Sequence, residues 1–307
     1  MCRWRPWSRL RRRRLPIQAG QGRTQPVAEN TLKSYRHSLN SYLLPFFCKI
    51  KLEDIKPSHI RKFRSFLIEK DLSNSVINLS CTCLKIILSY AKADRLITTD
   101  PFLSVPMMYI NARTREAFTR EELIKAFSDK WESNDRKLFS LVAAVTGLRI
   151  SEVSAIRRET LFSGYIEVKD QFYNSKLQPV KDGEKRKVPV CNKLYSMLSD
   201  CIRRNKDFAF KEAQDTYRST FYRHCGYNFN ERVKKGLSFH SLRHFVNTTL
   251  LKEGVPEIKV KSIMGHSSGK GSMTERYANF RPEDFNDVVE IQSSLLFSFL
   301  CSSEKMS

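Results

Sequence analysis

The sequence predicts a mainly α-helical protein with one small antiparallel sheet, divided into two domains. Three observations lead to this prediction. The chain has 307 residues, of which 41% are hydrophobic, so it is long and apolar enough for two cores. Apolar residues recur at three- and four-residue steps over most of its length. Strand-like alternation is confined to one stretch of the second half, between about 165 and 190.

The first domain, expected over residues 28–104, is predicted to consist of three or four amphipathic helices. The first begins near Asn30, and Pro45 is expected to end it because proline cannot continue a helix interior. The second is expected over residues 58–70. The third starts near Asn74, and its predicted apolar stripe is Val76, Leu79, Cys83, Ile87 and Tyr90. The non-periodic residues 105–115 are expected to form a linker.

The second domain, expected over residues 116–285, is predicted to be helical around a small hairpin. Thr119-Arg-Glu-Glu122 has the spacing of a capping box and should open a helix. A further helix should end at Gly147, and strands are expected at 165–169 and 187–190, on either side of the turn at 181–183. Helices are predicted from Lys193 onward. The apolar C-terminal stretch, residues 286–307, is expected to dock on a neighbouring protomer.

Charge is the unusual feature of the composition. The chain has 54 basic and 32 acidic residues, a net charge of +22, and eight arginines precede the first acidic residue, Glu29. Residues 1–27 are therefore predicted to be a basic, disordered arm. So large a basic excess favours a nucleic-acid partner over a membrane or an acidic protein. The alternative from charge alone is a well-solvated protein with a high isoelectric point.

The eight cysteines are scattered and form neither a disulfide framework nor a paired zinc motif. They are expected to be reduced in a cytoplasmic protein. No secretory signal and no membrane-spanning segment is expected, since the most apolar stretch near the C-terminus is far shorter than a bilayer requires.

Four short segments carry side chains that suit a phosphodiester. Arg149 follows the bend at Gly147 and precedes a helix, where a planar guanidinium can hold a phosphate oxygen. His240 and Arg243 are three residues apart and should share a helix face. His266 follows a helix-ending glycine, and Tyr277 lies eleven residues further on. Considered one at a time, an arginine in the position of Arg149 more often has a structural role, and a histidine in the position of His266 more often caps a helix. A single tyrosine such as Tyr277 indicates no function by itself.

A metal site is the competing interpretation of His240 and His244, which are four residues apart. The zinc metalloprotease motif requires a glutamate directly after the first histidine, and Ser241 occupies that position. The sequence therefore predicts no metal and no other cofactor.

In their order along the chain, these segments resemble the tyrosine recombinase, or phage integrase, family. The matching motifs are TGLRISEV, HSLRH, GHSS and MTERYA. The resemblance covers about 115–285 as a tyrosine-recombinase-like catalytic domain, and the helical block at 28–104 is similar to the family's core-binding domain.

The resemblance implies a metal- and ATP-independent reaction on double-stranded DNA by a homo-tetramer on paired sites. It makes Tyr277 the nucleophile that forms a 3′-phosphotyrosyl link, and Arg149, Arg243, His240 and His266 the ligands of the phosphate. The family's hairpin lysine, which protonates the leaving oxygen, matches Lys181 when counted back from Arg186-Lys-Val-Pro189, although Lys176 and Lys185 are near. The spacing of His266 and Tyr277 is about two residues longer than expected.

Three other functions remain open at this point. A non-catalytic DNA-binding relative would share the fold and charge but would not need all six residues. A type IB topoisomerase or a resolvase-like enzyme would share the chemistry. A metallohydrolase is the most distant alternative, and activity in EDTA would exclude it.

Overall fold

A computed structural model of the chain describes residues 29–110, 116–173, 176–180, 185–265 and 280–301. The chain divides into two compact units, residues 1–112 and 113–307, and the two hydrophobic cores each lie within one unit. The division falls within residues 105–115.

The first unit is built from helices alone in its described part. The helices, in chain order, are α1 (Glu29–Ser38), a π-helical turn (Leu39–Leu43), α2 (Leu44–Phe47), a 3-10 turn (Leu52–Asp54), α3 (Pro57–Glu69) and α4 (Asn74–Ala93). Helix α3 lies where the sequence predicts a helix and buries Ile60, Phe63 and Leu67.

Pro45 does not end the first helix, contrary to the prediction. In a regular α-helix a proline leaves a carbonyl unbonded and its ring clashes with the preceding turn. Here the preceding turn is π-helical, so the Leu44 N–H donates to the Leu39 carbonyl, and Pro45 falls in the first turn of α2. No N–H is needed at that position, and the helical path continues through the proline.

The predicted apolar stripe of α4 is one position out of register. Cys83 and Ile87 are buried, but Val76, Leu79 and Tyr90 are only partly so, and the core face is instead Ile77, Ser80, Cys81, Cys83, Leu84, Ile87, Leu88 and Ala91. The helix is apolar around most of its circumference, so periodicity alone does not select the inner face. By length and composition α4 could also cross a bilayer, contrary to the expectation of no membrane-spanning segment, but its buried residues belong to the core of the first unit.

Residues 105–110, the first part of the predicted linker, pack against the helices of the first unit. Val105 is buried, and Asn78 binds both the N–H and the carbonyl of Met108 at 2.8 Å. Arg64 donates to the Pro106 carbonyl at 2.7 Å. The side chains of α3 and α4 therefore hold the start of this segment.

The second unit surrounds the buried helix α6 (Asn134–Thr146), in which every residue from Leu138 to Thr146 is buried. The other helices are α5 (Arg120–Ser128), α7 (Ile150–Val153), α8 (Asn192–Asn205), α9 (Gln214–His224), α10 (Phe229–Lys234), α11 (Ser241–Lys252), α12 (Glu257–Met264) and α13 (Asn286–Cys301), with 3-10 turns at Arg158–Thr160 and Pro282–Phe285. The capping box of Thr119 and Glu122 is confirmed, with bonds of 2.9 and 3.2 Å.

The strands form two small antiparallel sheets, one more than the sequence predicts. The strands are β1 (Leu161–Phe162), β2 (Tyr165–Val168), β3 (Asp170–Tyr173), β4 (Lys176–Pro179) and β5 (Arg186–Pro189). The predicted pairing of β2 with β5 is present, and β1 extends that sheet in the order β1-β2-β5. The unpredicted hairpin β3-β4 is inserted between them; its residues are mostly polar and partly exposed, so it lacks the alternation that reveals a half-buried strand.

The apolar face of the C-terminal helix α13 packs into the core of its own unit. Val288, Leu295, Leu296 and Phe299 are buried there. Gln292, 1% exposed, accepts from the Cys191 N–H at 3.2 Å and donates to the Pro189 carbonyl at 2.9 Å. Much of the apolar face is thus buried within the chain, whereas Phe297 is 69% exposed, and docking on a neighbouring protomer stays a prediction.

Candidate active site

The turn that carries Arg149 is fixed by two glycines that permit close approach of two helix ends. Gly147 ends α6 with a φ of +70°, a conformation that favours glycine. A Cβ at Gly147 would lie 2.8 Å from Cε of Met264 and 3.3 Å from Cβ of Val246, so a larger residue here would have to displace the Met264 side chain. Gly265 ends α12 with a φ of +59°. The bend at 147 and the end of α12 therefore lie against each other.

Arg149 and Arg243 converge on this junction. Arg149 donates from Nη2 to the Gly265 carbonyl at 3.3 Å, and Arg243 donates to the carbonyls of Met264 and, at 3.0 Å, Gly147. The side chain of Arg149 is 37% exposed, whereas Arg243 is 3% exposed. The Arg243 Nε is buried and has no hydrogen-bond partner among the described residues.

Burial and the neighbouring Arg149 lower the pKa of Arg243 to about 9, and Arg186 acts in the same direction. Glu152 opposes this shift. The guanidinium is still protonated at neutral pH, but its charge is poorly stabilised by the surrounding protein. An anion placed against Arg149 and Arg243 would relieve both the repulsion and the unmet Nε donor.

A single buried carboxylate, Glu152, organises the cluster. Its side chain is 2% exposed and accepts from the Arg149 backbone N–H, from Arg149 Nη1 at 2.8 Å and from Arg186 Nη2 at 2.7 Å. Burial alone would raise the pKa of Glu152, but Arg186 and Arg149 together hold it below the usual value. We call Arg149, Arg186 and Arg243 around Glu152 the arginine cluster; its three cations exceed its one anion.

His240 and Arg243 enter the site from the same helix start. His240 is the N-cap of α11, partly buried, and its carbonyl accepts from the Arg243 N–H at 3.1 Å. Its ring meets that of His244 edge-on, with centroids 5.0 Å apart. Among the described residues no group of three or more His, Cys, Asp or Glu side chains could hold a metal ion.

The structure thus brings together Arg149 and Arg243 and places His240 one turn before Arg243. Lys181, His266 and Tyr277 lie outside the described residues. Their neighbours are described: Arg186, five residues after Lys181, begins β5, and Gly265 directly precedes His266. Of the alternative lysines, Lys176 begins β4 and Lys185 directly precedes β5, both exposed.

Two residues of the site were not predicted. Glu152 lies within the TGLRISEV motif and Arg186 within Arg186-Lys-Val-Pro189, but neither was assigned a role. The spacing of Glu152, three residues after Arg149 at a helix start, is that of a capping-box glutamate and was the available signal. Nothing in the local sequence indicates that Arg186 reaches Glu152.

We expect Glu152→Gln to destabilise the protein by about 3 kcal/mol at neutral pH, because the neutral amide leaves Arg186 buried without its counter-charge. The pKa of Glu152 is lowered in the folded state, so its contribution is present above the usual value near 4.5 and is lost as the pH falls through the lowered value. The difference in the free energy of unfolding between Glu152→Gln and the wild type, measured by chemical denaturation, should therefore become smaller at acidic pH. Glu167→Gln, which removes a partly exposed partner of Lys169, is the control and should cost little at any pH. A deficit of Glu152→Gln that is independent of pH would contradict this role.

Residues 116–283 match the model of the phage integrase family, and residues 23–68 match that of the phage integrase N-terminal SAM-like domain. Similar curated proteins include the ICEBs1 integrase of Bacillus subtilis, 23% identical over 87% of this chain and 78% of its own length, and tyrosine recombinase XerC of Thermodesulfovibrio yellowstonii, 24% identical over 86% and 89%.

Solved structures show the same fold. The Tn1549 transposon integrase in complex with transposon right end DNA aligns with a TM-score of 0.68 at 19% identity, covering 89% of this chain and 96% of that one. A lambda integrase tetramer bound to a Holliday junction aligns with a TM-score of 0.63 at 17% identity, covering 84% and 75%.

Proposed function

Because this chain belongs to the phage integrase family and is a tyrosine recombinase, we propose that Arg149, Lys181, His240, Arg243, His266 and Tyr277 form its active site on double-stranded DNA. The observation that carries this assignment is the arginine cluster. Arg149 and Arg243 meet at one helix end, with the Arg243 Nε buried and unsatisfied among the described residues. Fixed cationic donors in a site shielded from water are suited to the charge that develops on a phosphate in transesterification.

In the proposed reaction the phenolic oxygen of Tyr277 attacks phosphorus and forms an O–P bond while the bond from phosphorus to the 5′-oxygen breaks. The products are a 3′-phosphotyrosyl link and a free 5′-hydroxyl. Arg149 and Arg243 bind the non-bridging oxygens, and His240 and His266 bind these oxygens and take part in removing the phenol proton. Lys181 gives a proton to the departing 5′-oxygen. The covalent link conserves the energy of the broken bond, so no ATP is needed, and the arginines supply the positive charge that a metal ion would otherwise provide.

We further propose that the two units bind one duplex together and that four copies act on paired sites in the cytoplasm. The basic excess of the chain supports the DNA contact. A solved structure of similar fold is a tetramer on a Holliday junction, which supports the assembly. We also retain the prediction of a basic arm at residues 1–27, a core-binding domain at 28–104 and a catalytic domain at 116–285.

The test is covalent capture in EDTA on DNA of unspecified sequence. The full-length protein is incubated with a pool of nicked duplexes of random sequence, denatured, and the DNA that stays attached to protein is sequenced. We expect attachment through the 3′-phosphate and a new 5′-hydroxyl that a kinase labels without prior phosphatase treatment. Attachment through a 5′ end, or cleavage only when a divalent metal is added, would refute the proposed chemistry.

A further inference from the structure

Three consecutive carbonyls at the end of α12 each accept from a different arginine. Ile263 accepts from Arg186 Nε at 2.7 Å, Met264 from Arg243, and Gly265 from Arg149. The last carbonyls of a helix have no partner within the helix and carry its negative dipole end, so cations stabilise them. Two of these arginines are assigned to the phosphate in the proposed function, and Arg186 is not.

The side chain of Arg186 joins three segments that are distant in sequence. It begins β5, is 10% exposed, and donates from Nη2 to the buried Glu152 at 2.7 Å and from Nε to Ile263. Its guanidinium also lies close to Gly265, where an added Cβ would be 3.0 Å from Cζ. One planar group therefore touches the turn of Arg149, the strand that follows Lys181 and the helix end that precedes His266.

We propose that Arg186 is a positioning residue for strand cleavage, which rests on the function proposed above. It holds the end of α12, and with it the start of the segment that contains His266 and Tyr277, in fixed register with Glu152 and Arg149. Arg186 is only 10% exposed, less than Arg149, and unlike Arg243 it has no buried donor without a partner among the described residues, so we assign it no contact with the phosphate. When Arg149 and Arg243 bind the phosphate of DNA, the hydrogen bond from Arg186 to the Ile263 carbonyl still holds the end of α12.

The expected effect is on the chemical step and not on DNA binding. A displacement of about 1 Å in a reacting group can cost on the order of 10²-fold in rate. Arg186→Ala should therefore slow single-turnover cleavage about 10²-fold, with the dissociation constant for DNA unchanged. Arg186→Lys keeps the positive charge beside Glu152 but lacks the planar guanidinium that reaches both Glu152 and Ile263. Its cleavage should therefore remain slow, although the variant should be more stable than Arg186→Ala. Added methylguanidinium should restore part of the rate of Arg186→Ala only.

The control is Arg136, which forms a more exposed ion pair with a carboxylate elsewhere in the second unit. Arg136 binds Glu212 through Nε at 3.0 Å and through its terminal nitrogen at 2.8 Å, and no bond links it to the arginine cluster. Arg136→Lys should lower the melting temperature less than Arg186→Lys does, because its ion pair is more exposed, and it should leave the cleavage rate unchanged when both variants are assayed at a temperature at which they stay folded. A similar loss of rate in both variants would show that lost stability, and not positioning, is the cause.

A second readout does not require activity. Without Arg186, the last turn of α12 should open more often, so the amides of Met264 and Gly265 should exchange hydrogen faster in Arg186→Lys than in the wild type, while those of α6 should not. Unchanged exchange, cleavage at the wild-type rate, or a loss of DNA affinity that accounts for the slower rate would each overturn the proposal. If the wild type forms no adduct with DNA, the proposed function fails, and the exchange measurement still decides whether Arg186 holds the helix end.

Discussion

Tyr277→Phe is expected to abolish covalent attachment to DNA while leaving DNA affinity at the wild-type level. Phenylalanine keeps the ring and removes only the oxygen that would attack phosphorus, so binding through the basic side chains should persist. The measurement is a denaturing gel of protein and labelled suicide duplex, together with a binding titration of the same two proteins. Loss of binding in parallel with attachment would mean that the substitution disturbs the site and does not identify the nucleophile.

Tyr173→Phe and Tyr227→Phe are the matched controls for this experiment. The Tyr227 hydroxyl is bonded to Glu122 and to Lys235, the latter at 2.9 Å. Burial and the bond to Glu122 raise the pKa of Tyr227, which disfavours the phenolate that attack requires. Both control variants should form the adduct normally. An adduct that persists in Tyr277→Phe and disappears in one of the controls would transfer the role of nucleophile to that tyrosine.

Lys181→Ala is expected to slow cleavage by about 10² to 10⁴, the usual contribution of a general acid. A slower rate alone does not distinguish a proton donor from a phosphate ligand. A substrate with sulfur in place of the bridging 5′-oxygen does, because a thiolate leaves without a proton. That substrate should restore much of the rate of Lys181→Ala. It should not rescue Arg149→Ala, because Arg149 is assigned to the non-bridging oxygens.

Lys176→Ala and Lys185→Ala test the register of this assignment. Lys176 pairs with Tyr173 at the start of β4, and Lys185 directly precedes Arg186. Both variants should cleave the ordinary substrate at close to the wild-type rate. If one of them is slow and is rescued by sulfur while Lys181→Ala is not, the general acid is that lysine and the alignment of the hairpin must shift.

The sequence by itself determined the features that depend on neighbouring residues. The capping box at Thr119, the glycine ends at Gly147 and Gly265, and the helix of residues 57–69 follow from spacing over a few residues, and the structure confirms them. The order of the four motifs predicted the family, which the match over residues 116–283 confirms. The assignments of Lys181, His266 and Tyr277 stay predictions.

Predictions from local sequence patterns were wrong where the tertiary packing selects one of several conformations or buried faces that the local sequence allows. The helix α4 is apolar on more than one side, and only the packing of the other helices of the first unit chooses which side is buried. Pro45 is compatible with a helix because one π-helical turn changes the bonding before it. Val288, Leu295, Leu296 and Phe299 of α13 are buried in their own unit, which composition alone does not reveal, and a contact of this helix with another protomer stays a prediction.

Only the tertiary structure determined how the site is held. Glu152 and Arg186 are 34 residues apart, and Arg186 and Ile263 are 77 apart. Hydrophobic periodicity reports which face of an element is buried, but it carries no information about which buried polar groups meet. In a low-dielectric interior each such group must find a partner, and that requirement is satisfied between elements distant in sequence. The motifs therefore predicted the residues that we propose to act on DNA, while Arg186, which we propose to position them, became visible only through its contacts in the fold.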